Sequence, residues 1–362
     1  MPNALATFGR RATILGAVAI GATTLTFLLR LSSASPELVF IVSAIALAGL
    51  AGMVGEGTDQ LGHRFGPGAT GVLQSALGNL PELFISIFSL RAGLVVVVQT
   101  ALVGSILANS LLVLGLAFLL GGLRNGVQRF DKSAVRNLAT LLVLAVGALV
   151  IPTVATAPGG PDVGHAQDVS IFVSIVLLII FAASIPFSIR GGPGASAVSS
   201  PVGEAWPIRL AVGVLIAAAV GAAVVSDWFV DALTPAMAAL GISEQFVGLV
   251  VVAIAGNAVE NVVGVQAALR NDVDLAVSLI LNSSLQVALA LTPVLVLLSV
   301  VIGGSALTLV LSPLLVVALA TSAIFGAFVV FDGESTWLEG LALVGLYVII
   351  AAGVWYGAPI RA

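Results

Sequence analysis

The chain has 362 residues, of which 59% are hydrophobic and 8% are charged, and its net charge is −4. Soluble proteins carry roughly 25% charged residues, so this composition cannot supply the polar shell of a large soluble domain. Cysteine is absent, which excludes disulfides and thiolate metal sites.

Apolar runs of about 20 residues recur along the chain, and this is the length that crosses a bilayer as a helix. They predict an all-α polytopic membrane protein. The N-terminal run resembles a signal peptide, but no small-x-small cleavage site closes it, so we expect it to be retained as the first span. The hydropathy pattern predicts eleven spans at residues 13–30, 37–55, 70–90, 94–120, 135–156, 169–189, 208–226, 244–269, 274–301, 306–330 and 337–357.

A segment rich in Gly, Ser and Pro at 190–207 is typical of a flexible linker and divides the chain near its middle. The expected organisation is an extra N-terminal transmembrane helix at 1–31, a first repeat at 37–156, a connecting helix region and cytoplasmic linker at 157–207, and a second repeat at 208–362. Within the connecting region, the helix at 169–189 completes the first repeat, so that each repeat has five helices.

Basic residues predict the orientation of the chain. If the N-terminus is cytoplasmic, only Arg30, Arg91 and Arg361 of the 13 Lys and Arg residues fall in outside segments. This positive-inside bias predicts a multi-pass plasma-membrane protein with its N-terminus in the cytoplasm and its C-terminus outside.

Two similar polar stretches interrupt the apolar sequence, GNLPE at 78–82 and GNAVE at 256–260. A shift of 178 residues, from position 78 to 256, also brings Ser105 onto Ser283. Glu82 lies in the third span and Glu260 in the eighth, an odd offset of five spans, so the two helices are expected to cross the membrane in opposite directions. Inverted-topology repeats of this kind are typical of secondary transporters.

Span 3 carries one polar stripe at helical spacing, formed by Ser75, Asn79, Glu82, Ser86 and Ser89. Pro81 cannot donate a backbone N–H and is expected to interrupt the helix there, which would leave the carbonyl of Leu77 without its helical donor.

Spans 4 and 9 add polar side chains behind these stretches. The residues are Ser105 and Asn109 in span 4, and Asn282, Ser283, Ser284 and Gln286 in span 9. Each Ser, Asn or Gln alone is explained as well by ordinary helix–helix hydrogen bonding, worth about 0.6 kcal/mol on average. An ionisable group at mid-membrane costs roughly 2.5 kcal/mol or more, so Glu82 and Glu260 indicate function.

Two carboxylates with nearby amide, hydroxyl and carbonyl oxygens would form an all-oxygen site, which suits a hard divalent cation, Ca²⁺ above all. We therefore predict Glu82 and Glu260 as the metal ligands. Without the ion, two neighbouring buried carboxylates resist full ionisation and take up protons. One pair could hold either one divalent cation or up to two protons, which is the physical basis of cation/proton antiport.

The stretches 78–122 and 256–297 resemble the two signature regions of the cation/proton exchanger (calcium/proton antiporter) family of the cation/calcium antiporter superfamily. The resemblance implies that Glu82 and Glu260 bind Ca²⁺ and exchange it for protons. It also implies supporting roles for Asn79, Asn257, Ser105, Ser283 and Gln286. Secondary candidates are Asn109, Asn282, Ser284, Ser86 and Asn261. The sequence departs from the family at Asn261, often His, and at Asn282, where the family has Gly.

The closest alternative is a sodium-coupled calcium exchanger on the same fold. That branch typically shows Gly-Thr-Ser-x-Pro-acid motifs, which Pro81-Glu82 resembles, although Asn79 and Asn257 stand in place of the Thr. A passive channel also stays open as an interpretation. The sequence has no Gly-x-Ser-x-Gly, His-Glu-x-x-His or Gly-x-Gly-Asp motif, so we do not expect an enzyme.

The expected partners are divalent cations, protons and the lipid bilayer, with no cofactor and no nucleic acid, and the oligomeric state is left open.

Overall fold

The structure is a computed structural model that describes residues 4–65, 77–189, 206–303 and 305–356. Within these ranges the side chains of 4–7, 63–65, 134, 187–189, 259, 260 and 356 are not described. The predicted linker at 190–207 lies almost wholly outside the described residues, as do Ser75 and Arg361.

The described chain is mostly helical, with three π-helical segments (π1 to π3) and two short strands. The elements in chain order are α1 Ala4–Leu31, α2 Pro36–Phe65, α3 Leu80–Arg91, α4 Val95–Leu107, π1 Ala108–Val113, α5 Leu114–Asn125, β1 Gln128–Arg129, α6 Lys132–Ala155, α7 Ala166–Ile189, α8 Ile208–Leu240, α9 Glu244–Phe246, π2 Val247–Val252, α10 Ala253–Gly256, α11 Ala258–Leu269, α12 Val273–Gln286, π3 Val287–Leu291, α13 Thr292–Ile302, α14 Pro313–Val329, β2 Glu334–Ser335 and α15 Trp337–Tyr356.

Among the described residues, eight helices are long and apolar enough to cross a membrane. A ninth candidate is the pair Glu244–Gly256 and Asn261–Leu269, whose two parts are bent by 62°. The prediction of a helical, polytopic membrane protein is therefore confirmed, while the count of eleven stays a prediction. Part of span 3 falls at 66–76, outside the described ranges, and α14 at Pro313–Val329 is shorter than the other candidates.

The structure corrects two predicted boundaries. Helix α8 continues to Leu240 and includes Asp231, whereas the prediction ended this span near residue 226. The predicted span at 306–330 is helical only from Pro313, because Ser312 accepts a hydrogen bond from the backbone N–H of Leu315 and so caps the helix there. Proline at the first helical position has a φ angle that suits a helix start.

The chain forms two compact units, and each draws on both halves of the sequence. Unit 1 comprises Met1–Ser89, Val198–Ile242 and Ala255–Val259, and so contains α1, α2, α8 and most of α3. Unit 2 comprises Leu90–Ala197, Ser243–Ile254 and Glu260–Ala362.

In unit 1, α1 and α8 both pack against α2. A Cβ atom at Gly49 of α2 would lie only 2.8 Å from the backbone N of Ala19 in α1, so glycine is needed for this approach. At one end of the unit, Trp206 is buried with Leu61 and its backbone N–H donates to Gln60 Oε1 at 2.9 Å. At the other end of α1, Arg30 forms an ion pair with Asp231 at 3.0 Å.

In unit 2, α4 is buried along most of its length and lies against π2. A Cβ atom at Gly104 would meet the backbone oxygen of Leu249 and would lie 2.6 Å from its Cα atom. The two backbones therefore touch, and no side chain larger than hydrogen fits at position 104 without moving one of them.

A non-helical segment at 306–312 in unit 2 connects α13 to α14. Side chains from four helices bond its backbone groups, which lack the partners that a helix would provide. Gln99 Nε2 donates to the carbonyls of Thr308 (2.8 Å) and Val310 (3.2 Å), and Thr153 Oγ1 donates to the carbonyl of Leu309 (3.0 Å). Three backbone N–H groups donate to side-chain oxygens at 2.9 Å: Leu307 to Ser299, Leu309 to Ser170 and Leu311 to Thr153. Side chains distant in sequence thus replace the helix that the prediction placed there.

Candidate functional site

The first motif is the N-terminus of a helix. Helix α3 begins at Leu80, and Asn79 occupies the turn before it and accepts the N–H of Leu83 through its carbonyl at 2.9 Å. Pro81 lies in the first turn, where an N–H would have no acceptor within the helix. Glu82 lies in the same turn, where the helix dipole favours negative charge.

The helix break therefore differs in position from the prediction. We expected an interruption at Pro81 inside one helix, with the carbonyl of Leu77 released by it. In the structure the turn lies at Gly78–Asn79, directly after Leu77, and Pro81 belongs to the helix that follows. The carbonyl of Asn79 accepts a backbone N–H from the first turn of this helix, and proline favours the start through its fixed φ angle.

The buried face of α3 carries the polar residues of the stripe. Glu82 is 1% exposed, and Ser86 and Ser89 are buried on the same face. Within the described part of the chain, the hydroxyls of both serines lack a hydrogen-bond partner. The side chain of Glu82 lies against Gly256, since a Cβ atom at Gly256 would be 3.5 Å from the Cβ of Glu82. Unit 1 thus brings the first glutamate next to the glycine of the second motif.

The second motif has the same local design. Helix α10 ends at Gly256, Asn257 forms a buried turn, and α11 begins at Ala258. Glu260 falls in the first turn of α11, and its side chain lies outside the described residues. The Asn-x-x-Glu spacing therefore places an asparagine before a helix and a glutamate in its first turn in both motifs.

The supporting residues of unit 2 are buried. Ser105 lies on α4, Asn109 in π1, and Ser283 and Gln286 on α12. Asn109 Nδ2 donates to Ser283 Oγ at 3.0 Å, so the structure joins two of the predicted residues directly.

The structure also describes three secondary candidates, Ser284, Asn282 and Asn261. Ser284 is buried and lies 3.2 Å, oxygen to oxygen, from Ser110, a residue that the sequence did not single out. Asn282 is half-buried on α12. Asn261 is half-buried on α11, and its Oδ1 has no hydrogen-bond partner among the residues that the structure describes.

Sequence reasoning missed the π-helical segments. π1 contains Asn109, π3 follows Gln286 directly, and π2 leads into α10 and the second motif. Single turns of π-helix occur frequently at functional sites. They leave no signature in composition or periodicity, so the sequence offered no signal for them.

The donors at these positions are carboxylate, amide and hydroxyl groups, the ligands that hard cations prefer. Among the described side chains, no group of three or more His, Cys, Asp or Glu residues could hold a metal ion.

Comparison with known proteins identifies the family. The model of the sodium/calcium exchanger protein family matches residues 36–190 and 210–356. The chain belongs to this family. It is 35% identical over 324 residues to a Ca²⁺/H⁺ antiporter of Bacillus subtilis, covering 87% of this chain and 91% of that protein. It is 33% identical over 338 residues to a Ca²⁺/H⁺ antiporter of Synechocystis sp., covering 88% and 91%.

Among solved structures, the exchanger is similar to the Ca²⁺/H⁺ antiporter YfkE, with a TM-score of 0.82 and 31% identity over 95% of this chain and 99% of that one. The resemblance to the calcium/proton antiporter family is thereby confirmed. The family match includes both Asn-x-x-Glu motifs and begins at residue 36, so α1 lies outside it.

Proposed function

We propose that this protein is a secondary active transporter that exchanges Ca²⁺, or a related divalent cation, for H⁺ by alternating access. The observation that carries the proposal is the buried Glu82 in the first turn of a helix that starts beside a break, in a motif that occurs twice. The relatives at 33% and 35% identity are Ca²⁺/H⁺ antiporters, which supports the same exchange here.

Glu82 and Glu260 are the proposed binding groups for either the cation or protons. Asn79, Asn257 and Ser105 would contribute further oxygen ligands, together with Ser283 and Gln286. Because one divalent ion neutralises two carboxylates, and protons neutralise the same pair, the two cargoes exclude each other. This exclusion couples the two fluxes without a second site.

Two inverted five-helix repeats preceded by α1 form the proposed architecture, with eleven spans in the plasma membrane. The π-helical segments support the repeat. The sequence shift of 178 residues moves π1 at Ala108–Val113 onto 286–291, and π3 occupies Val287–Leu291. The proposed orientation keeps the N-terminus in the cytoplasm and the C-terminus outside.

In the proposed cycle, α2 and α8 move to open the site to one side at a time. Protonation of Glu82 and Glu260 from the more acidic outer side releases the divalent cation outward, and the protons are then carried inward.

Sodium-coupled calcium exchange is the second candidate, because the matching family model is that of sodium/calcium exchangers. The asparagines at positions 79 and 257 favour proton coupling, since they replace the hydroxyl residues that are typical of the sodium-coupled motif.

The test is ion flux in proteoliposomes that contain the purified protein. A pH gradient should drive Ca²⁺ uptake, a Na⁺ gradient should not, and a panel of divalent ions would establish selectivity. Glu82→Gln and Glu260→Gln should each abolish exchange, because glutamine is neutral, so it can neither take up a proton nor balance the charge of a divalent cation.

The matched control is Glu244→Gln, which changes an exposed glutamate that also lies in the first turn of a helix. This variant should transport at the wild-type rate. Full exchange by Glu82→Gln would contradict the assignment of the site, and Ca²⁺ uptake driven by Na⁺ but indifferent to pH would establish the sodium-coupled alternative.

A further inference from the structure

Two adjacent hydrogen bonds join π1 to α12 in unit 2, and we call them the double rung. In the first, Asn109 Nδ2 donates to Ser283 Oγ at 3.0 Å, and in the second, Ser110 and Ser284 approach to 3.2 Å between their hydroxyl oxygens. Asn109, Ser110 and Ser284 are fully buried. Ser283 is a proposed cation ligand, whereas Ser110 belongs to neither motif.

The direction of the bond between Ser110 and Ser284 follows from the fact that each hydroxyl has a single proton to donate. Ser110 Oγ lies 2.6 Å from the carbonyl oxygen of Ile106, which is a short and therefore favourable bond for its single proton. Ser110 must then accept from Ser284. The proton of Ser284 has one competing acceptor, the carbonyl of Ile280, at the longer distance of 3.3 Å. The second rung therefore runs from α12 to π1, and the first rung runs from π1 to α12.

We propose that Ser110 is a positioning residue that fixes the register of π1 against α12 and thereby holds Asn109 on Ser283. A π-helical turn has an extra residue relative to an α-helix, so its neighbours in space are not set by regular geometry and must be set by contacts. Two bonds of opposite direction at successive residues fix both the rotation and the axial position of π1. This role rests on the proposed function, because it matters only if Ser283 binds the cation.

The consequence for transport concerns affinity. Calcium ligands must lie within 2.3–2.6 Å of the ion, so a ligand that is free to shift binds more weakly. Partners behind a metal ligand that orient it are needed for full affinity. The hydroxyl of Ser110 bonds the carbonyl of Ile106 and the hydroxyl of Ser284, so its loss should weaken binding of the cation without removing the groups that exchange protons.

The experiment measures Ca²⁺ uptake driven by a pH gradient in proteoliposomes at varied Ca²⁺ concentration. Ser110→Ala and Ser284→Ala should each raise the Ca²⁺ concentration for half-maximal uptake about threefold, which corresponds to one average interhelical hydrogen bond in a membrane. The maximal rate of the Ser110→Ala protein should stay near that of the wild type. The double variant should have the same effect as either single variant, because both remove the same bond.

The matched control is Ser174→Ala, since Ser174 is also a fully buried serine of unit 2, but its hydroxyl donates to the carbonyl of Ser170 in its own helix. This change should leave the half-maximal concentration unaltered. An unchanged half-maximal concentration in Ser110→Ala would overturn the inference, and so would equal effects of Ser110→Ala and Ser174→Ala or additive effects of the two rung variants.

Failure of the inference is distinguishable from failure of the proposed function because the wild type and Glu82→Gln are measured in the same assay. If the wild type transports and Glu82→Gln does not, the proposed function stands whatever the serine variants do. If the wild type shows no uptake under the pH gradient, or Glu82→Gln retains it, the proposed function fails and the role of Ser110 fails with it.

Discussion

Buried hydroxyl groups donate to their own helix in both compact units, but in unit 2 some of them also bond other elements. In unit 1, Thr26, Ser43 and Thr58 each donate to a carbonyl of their own helix, three or four residues earlier, at 2.8–2.9 Å. In unit 2, Ser170 and Thr153 accept backbone N–H groups of the segment 306–312, and Asn109 donates to Ser283 on another helix.

The two kinds of hydrogen bond differ in how firmly they hold neighbouring elements together. A hydroxyl that donates to a carbonyl of its own helix does not fix the position of the neighbouring helix. Contacts between such helices therefore depend on the fit of their surfaces, as at Gly49. A hydrogen bond between two elements fixes their rotation and register. The proposed cycle moves α2, whose buried hydroxyls Ser43 and Thr58 bond within the helix itself, and such bonding suits an element that moves.

The largest expected effect concerns the backbone contact in unit 2. Gly104→Ala would bring a methyl group against the backbone of Leu249, which cannot yield as a side chain can. We expect a loss of about 1–3 kcal/mol or more of unfolding free energy, measured as a lower midpoint of thermal unfolding in detergent. The control is Gly147→Ala on α6, where a Cβ atom meets nothing within 4 Å. Equal midpoints for the two variants would show that the contact does not hold unit 2 together.

A loss of comparable size is expected at the segment 306–312. Thr153→Val removes a hydroxyl that both donates to the carbonyl of Leu309 and accepts the N–H of Leu311, and it leaves these groups unpaired. An unpaired buried group costs about 1–3 kcal/mol. Thermal unfolding should separate this variant from Thr140→Val, in which an exposed threonine of the same helix bonds only the carbonyl of Arg136. If the Thr153→Val protein were as stable as the Thr140→Val protein, the hydrogen bonds of Thr153 would not stabilise the segment 306–312.

The smallest effect is expected at the end of unit 1. Arg30 pairs with Asp231 at 3.0 Å and lies 5.6 Å above the ring of Trp228, in a partly exposed position. Such pairs contribute about 1 kcal/mol or less, and salt screens them. Arg30→Asp should lower the unfolding midpoint slightly at low ionic strength and less at high ionic strength. The charge-swapped double variant Arg30→Asp with Asp231→Arg should recover part of the loss, and no recovery would mean that the ion pair itself does not join α1 to α8.

Local features of the sequence predicted the class of protein and the two motifs well. Apolar length indicated a membrane protein, and the rarity of buried charge singled out Glu82 and Glu260. The break in span 3 was expected at Pro81, but the turn lies at Gly78–Asn79, because a proline is compatible with a helix start as well as with an interruption. The pairing of Asn109 with Ser283 was not predicted, since both residues had an equally good interpretation as ordinary contacts between helices.

The sequence by itself determined the membrane environment, the family and the Asn-x-x-Glu motifs, because apolar length, charge and short motifs are properties of neighbouring residues. The tertiary structure decided the length of α8, the non-helical backbone at 306–312, the π-helical turns and the double rung. Each of these depends on partners far apart in the chain, such as Gln99 and Thr308 or Ser110 and Ser284. A polar side chain in a membrane must find a partner, but only the folded chain determines which partner is within reach.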